Sequence, residues 1–82
     1  PTTELAAEDF NEEGNVDVIT LLVKSALVQT RSEGRRAIEQ GGVSVDGEKV
    51  TDIKQVLSKD VLTGDGVVLK RGKKKFNKVF TK

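Results

Sequence analysis

Residues 30–49, TRSEGRRAIEQGGVSVDGEK, constrain the fold more tightly than any other part of the chain. Thr30 and Glu33 have the Thr-x-x-Glu spacing of a capping box. The Thr30 hydroxyl accepts from the Glu33 amide, and the Glu33 carboxylate reaches back to the Thr30 amide. Loss of such a cap costs about 1 kcal/mol, a large loss for a small domain. The spacing predicts a helix over 31–40. It ends at Gly41-Gly42, where the left-handed conformation that closes a helix is accessible without a steric penalty. Val43-Ser44-Val45 then alternates as a strand, and Asp46-Gly47 is a strong two-residue hairpin signal. Glu48-Lys49-Val50 returns as the partner strand. A short helix, a stop and a hairpin in so few residues specify an α+β fold.

The remaining chain supplies what this unit packs on. Over 16–28, Val18, Leu21, Leu22 and Ser25 fall at i, i+3, i+4 and i+7, with Ile19 and Val23 widening the apolar stripe. This predicts a core helix started by Asn15 or Asp17, with residues 26–29 connecting it to the second helix. In the second helix Ala37 and Ile38 face that core. Arg31 and Arg35 lie outward at i, i+4, with Ser32 and Arg36 on a neighbouring strip. In residues 51–63, Ile53, Val56 and Leu57 predict one helical turn, and Val61-Leu62 a short extended piece. Gly64-Asp65-Gly66 is a turn. Residues 67–71 and 75–80 read as two strands joined by Gly72-Lys73-Lys74, with Phe76 and Phe80 on one face and Val79 on the other. Phe76 is assigned to the core, with a stacking platform as the alternative.

Charge is unevenly placed. Residues 1–17 hold six acids (Glu4, Glu8, Asp9, Glu12, Glu13, Asp17) and no base, so the net charge of +1 hides a surplus of seven bases beyond them. Residues 1–15, with only Leu5 and Phe10 as larger apolar side chains, are expected to be an acidic flexible linker ahead of a domain over 16–82. Between residues 70 and 78 stand Lys70, Arg71, Lys73, Lys74, Lys75 and Lys78 with no acid among them. A basic hairpin of this kind fits a phosphate backbone. The chain has no cysteine and no histidine. Disulfides, thiolate or imidazole metal sites and histidine-based catalysis are therefore excluded. No apolar run is long enough to span a bilayer and no export signal is visible. A cytoplasmic setting and no membrane partner are expected. Because the chain starts without methionine, it is expected to be a piece of a longer protein.

The order Val18-Ile19-Thr20-Leu21-Leu22-Val23, then Thr30-Arg31-Ser32-Glu33-Gly34-Arg35-Arg36, then Gly41-Gly42-Val43-Ser44-Val45-Asp46-Gly47 resembles the small RNA-binding module of the ribosomal-protein-S-four type. Lys70-Arg71-Gly72-Lys73-Lys74-Lys75-Phe76 narrows the resemblance to the C-terminal domain of bacterial tyrosyl-tRNA synthetases, and the acidic segment before residue 16 is similar to their linker. The resemblance implies two antiparallel helices packed on a largely antiparallel sheet of about four to five strands. It implies a domain without catalysis of its own, attached to a class I tyrosine–tRNA ligase. ATP and tyrosine then belong to an absent catalytic domain, and no cofactor to this fragment. The implied partner is tyrosine tRNA near its long variable arm. The implied contacts are Arg31, Ser32, Arg35, Arg36 and Gln40 on the second helix, Lys49 beside them, and Lys70, Arg71, Lys73, Lys74, Lys75 and Lys78 on the hairpin. A homodimer through the catalytic domain is implied for the intact enzyme, and a monomer for the fragment. The family commonly carries alanine where Gly34 stands. Gly34 reads as room for RNA, as room for the first helix, or as a position under no selection.

Two other readings use the same residues. One is a free-standing ribosomal-RNA or stress-related RNA binder with this module. The other is a protein-interaction domain whose bases meet an acidic partner.

Overall fold

The Asp46-Gly47 turn takes positive φ at both positions, 50° and 87°. That geometry matches the twist of the two strands it joins. Val45 pairs with Glu48 across it, as the dipeptide predicts. The hairpin belongs to a computed structural model that describes residues 2–81. Pro1 of the expected linker and Lys82 of the expected domain lie outside the described residues.

In chain order the elements are β1 (Thr2–Leu5), a 3-10 turn at Ala7–Asp9, β2 (Asn15–Asp17), α1 (Val18–Lys24), α2 (Arg31–Glu39), β3 (Val43–Val45), β4 (Glu48–Lys49), β5 (Val56–Ser58), α3 (Lys59–Leu62), β6 (Val67–Arg71) and β7 (Lys75–Thr81). Five strands form one sheet in the order β1-β7-β6-β3-β4, and β2 pairs with β5 in a second. The β1–β7 pair is parallel and every other pair is antiparallel. The α+β class and the largely antiparallel sheet follow the expectation. No helix among the described residues is long and apolar enough to cross a membrane.

The core lies between the two longer helices and one face of the main sheet. Val18, Leu21 and Leu22 of α1, Ile38 of α2, and Val43, Leu69 and Val79 of the sheet are all nearly inaccessible to water. The helix stripe and the strand alternation thus converge on one apolar cluster, which Leu62 of α3 completes.

Two expectations fail here. The first is the linker. Thr2–Leu5 runs alongside β7, with Thr2 opposite Lys78 and Leu5 opposite Thr81, and Leu5 is buried. The Thr3 hydroxyl donates to Asn77 Oδ1 at 3.0 Å, and the Thr81 hydroxyl donates to the Leu5 carbonyl at 3.3 Å. An otherwise unpaired edge of β7 recruits these residues despite their polar composition, because its free backbone groups need partners. Asn11 then organises a turn, its side-chain oxygen accepting from the Glu13 and Asn15 amides. Asp9 pairs with Lys24 at 3.2 Å.

The first helix starts from the later of its two expected caps, Asp17, and ends before the expected connection at residues 26–29. Val16 belongs to β2, opposite Leu57, and the helix proper starts at Val18. It stops at Ser25 because Ala26 adopts the left-handed region at φ 62°, where the Leu27 and Val28 amides turn back to the Leu22 carbonyl.

The second failure lies in residues 51–63, where the order is reversed. Val56 and Leu57 are strand, paired with Asp17 and Val16, and Val61-Leu62 lie in the short helix α3. A short apolar run carries no reliable period. Here the need of β2 for a partner decides it.

Candidate nucleic-acid interface

Thr30 caps α2 as expected, its hydroxyl accepting from the Glu33 amide at 3.1 Å. The second half of the capping box is absent. Glu33 Oε1 accepts instead from the Gln29 amide at 3.3 Å and lies 3.4 Å from the Arg71 guanidinium. The cap residue is thereby turned into a counter-ion for the hairpin. Arg71 also donates to the Leu27 carbonyl at 3.1 Å. Two bonds from one side chain fasten the end of β6 to the start of α2.

A second set of bonds sets the angle between α1 and α2. Arg31 donates to Asp17 Oδ2 and to Thr20 Oγ1, each at 2.8 Å. The Thr20 hydroxyl in turn donates to Asp17 Oδ1. Burial pushes the Asp17 carboxyl up. The Thr20 hydrogen bond and the bond and charge of Arg31 outweigh this, and hold it below its ordinary value of 3.8. Gly34 is buried against this joint. A methyl group added there would sit 3.4 Å from Ile19 Cγ2 and from Val28 Cγ2. Gly34 therefore faces the first helix and not the solvent.

With α2 and the β6–β7 hairpin fixed in this way, three hollows run into one another. The first lies between Thr30, Ser32, Arg36, Gln40 and Arg71. The second shares Gln40 and Arg71 and adds Gly42, Gly72 and Lys75. The third shares Gly42 and Gly72 and opens toward Ser44, Lys49, Lys70 and Lys73. Together they form a shallow groove with glycine on its floor and cations along its rim. The Gly72 amide donates to the Gly42 carbonyl at 2.7 Å, which closes the floor. Lys49 lies over Gly41, whose added Cβ would fall 2.5 Å from the Lys49 Cε. Its ammonium thus rests at the C-terminal end of α2, where a positive charge is favoured.

Of the twelve expected contacts, the groove brings together Ser32, Arg36, Gln40, Lys49, Lys70, Arg71, Lys73 and Lys75. Arg35 and Lys74 are exposed but do not line it. Lys78 is half-buried on β7, between Thr2 and Val68. Arg31 and Arg71 carry structural bonds as well as charge. The alternation of β7 places Asn77, Val79 and Thr81 inward. Phe76 is 54% exposed, which overturns its assignment to the core. The inward polar residue is stable because Asn77 receives the Thr3 hydroxyl and donates to the Ser25 carbonyl at 3.3 Å. Sequence reasoning also missed Glu33 as the partner of Arg71. No local pattern links two residues on different elements. It missed Ser44 as well, although strand alternation alone points that side chain away from the buried face of Val43.

Residues 1–79 match the family model described as Tyrosine–tRNA ligase SYY-like C-terminal domain. The chain belongs to this family. It is 42% identical to the tyrosine–tRNA ligase of Clostridium botulinum strain Loch Maree (type A3) over 79 residues, which cover 96% of this chain and 18% of that protein. The corresponding ligase of strain Alaska E43 (type E3) is 39% identical over the same shares. The chain thus spans about a fifth of the length of these curated relatives. As a C-terminal domain of this family it is a fragment of an enzyme.

Proposed function

We propose that this domain docks the backbone of tyrosine tRNA along the groove between α2 and the β6–β7 hairpin, holding the tRNA for tyrosylation by the catalytic part of the ligase. ATP and tyrosine are assigned to that catalytic part. The observation that carries the reading is the continuity of the groove, which gathers cations from α2, β4, β6 and β7 around the sheet end at Gly42 and Gly72. Glu33, the acid that lines it, is neutralised by Arg71. Such a surface binds phosphates through counter-ion release, and it selects structured RNA by shape more than by base edges. The long variable arm is the part of tyrosine tRNA assigned to it. In the intact ligase, dimerisation is assigned to the catalytic part.

A binding competition tests this reading, with tyrosine tRNA, a version without the long arm, and a ribosomal RNA fragment as competitors. Tyrosine tRNA should win, and removal of the arm should weaken binding about tenfold, the scale of one or two phosphates no longer neutralised. Equal binding of all three would favour a general RNA binder over a tyrosine-specific one.

A further inference from the structure

Phe76 is the most exposed of the large hydrophobic side chains among the described residues. On the outer face of the sheet it stands directly opposite Lys70, which stands opposite Ser44, which stands opposite Lys49. Neighbouring strands are about 4.8 Å apart, so this cross-strand row extends roughly 14 Å. Phe80, further along the same face, differs in exposure and in the charge of its register partner. It is half-buried, and its register partner on β1 is Glu4. A single exposed apolar residue is ordinary on a protein surface. An aromatic ring at the end of a row that carries Lys70 and Lys49, the two lysines lining a glycine-floored hollow with Lys73, is a more particular arrangement.

We infer that Phe76 is a stacking platform for an unpaired RNA base, whose neighbouring phosphates lie over Lys70 and into the hollow beside it. The inference rests on the RNA-docking reading above and names the kind of nucleotide that this end of the groove takes. A base inside a duplex has both faces covered by its neighbours, so a ring on an open sheet reaches only a splayed or single-stranded nucleotide. Stacking on an aromatic side chain is tolerant of base identity, because every base has a π face. The groove along α2 then follows paired backbone, and the Phe76 end takes a nucleotide that has left the helix.

The chain has no tryptophan and no tyrosine, so Phe76→Trp places one clean fluorophore at the site. Position 76 is exposed, and the exchange leaves the core intact. The variant is titrated with a blunt RNA duplex and with a duplex of matched phosphate number that carries a short unpaired extension. Anisotropy of labelled RNA reports binding independently. Both RNAs should bind. Only the extended one should quench the indole fluorescence, by about half, and Phe76→Ala should weaken the extended RNA about tenfold while leaving the blunt duplex within about twofold. Binding without selective quenching, together with an unaltered affinity in Phe76→Ala, would overturn the stacking role and leave the docking groove standing. It would point to a protein contact at this face. Failure of both RNAs to bind would overturn the groove and the platform together.

Discussion

Arg71 and Glu33 meet at 3.4 Å, and through this pair the basic hairpin is fastened to the cap of the helix that forms the other wall of the groove. Arg71 is only half-exposed and also holds the Leu27 carbonyl. A residue expected to contact RNA therefore first sets the shape of the surface that does so. Arg71→Ala should destabilise the domain by about 1–2 kcal/mol, since the Leu27 carbonyl loses a charged donor. Glu33→Ala should cost about half as much. A double-mutant cycle in urea should return a coupling of about 0.5 kcal/mol, in the range of partly exposed pairs. Strict additivity would mean that the pair does not hold the two walls together.

Gly34 is the opposite case. Its helical backbone accepts alanine, and the added methyl meets Ile19 and Val28 at the near edge of ordinary contact distance. Gly34→Ala should raise stability by about 1 kcal/mol through helix propensity alone. RNA affinity should be unchanged, because the position faces α1. A drop in stability would show that the α1–α2 joint has no room for one carbon.

Gly66 will not accept the same change. It holds φ at 71°, and an added Cβ would fall 2.1 Å from the Val79 carbonyl oxygen and 2.7 Å from Phe80 Cβ. Gly66→Ala should cost more than about 2 kcal/mol, from left-handed strain together with displacement of β7. Thermal unfolding measures it, and a change in Tm of only a degree or two would contradict the packing described for this turn.

The Asp17–Arg31 bond gives the domain a pH dependence. Because the folded-state carboxyl titrates below its ordinary 3.8, the unfolded chain binds the proton more readily. The stabilisation is present above pH 3.8 and is lost as pH falls below it through the folded-state value. Asp17→Asn should remove that component of the acid transition and cost about 0.5–1 kcal/mol at neutral pH, as for a partly exposed pair. An acid unfolding curve identical to that of the unaltered chain would leave Asp17 without this role.

How much of this was legible beforehand follows from how local each signal is. The Thr30 cap on the Glu33 amide, Gly41 after the helix, and Asp46-Gly47 act within a few residues, and each forms where its chemistry predicts. The stripe of Val18, Leu21 and Leu22 is legible for the same reason. Thr2–Leu5 is not, because its partner β7 lies at the other end of the chain, and composition reports only that the segment is polar. Val56 and Leu57 are strand because β2 needs a neighbour, a requirement that no window around them contains. The faces of β7 were separable by alternation, but the buried one is fixed by Thr3 and Ser25, which satisfy Asn77. In the candidate site, the positions of the cations were visible as a charge run. Their division into groove-lining residues and structural ties was not, since Asp17 and Glu33 draw Arg31 and Arg71 from other elements.

The most direct measurement of the docking claim is the salt dependence of tyrosine tRNA binding, for the unaltered chain and for a variant with Lys70, Lys73 and Lys75 changed to glutamine. If about six phosphates are neutralised, log affinity should fall against log salt with a slope near −4 to −5. The variant should bind more weakly and show a slope shallower by roughly one unit for each phosphate no longer neutralised, with an unchanged fold. An identical slope in the two proteins would contradict the account, because the cations along the groove would then carry none of the RNA backbone.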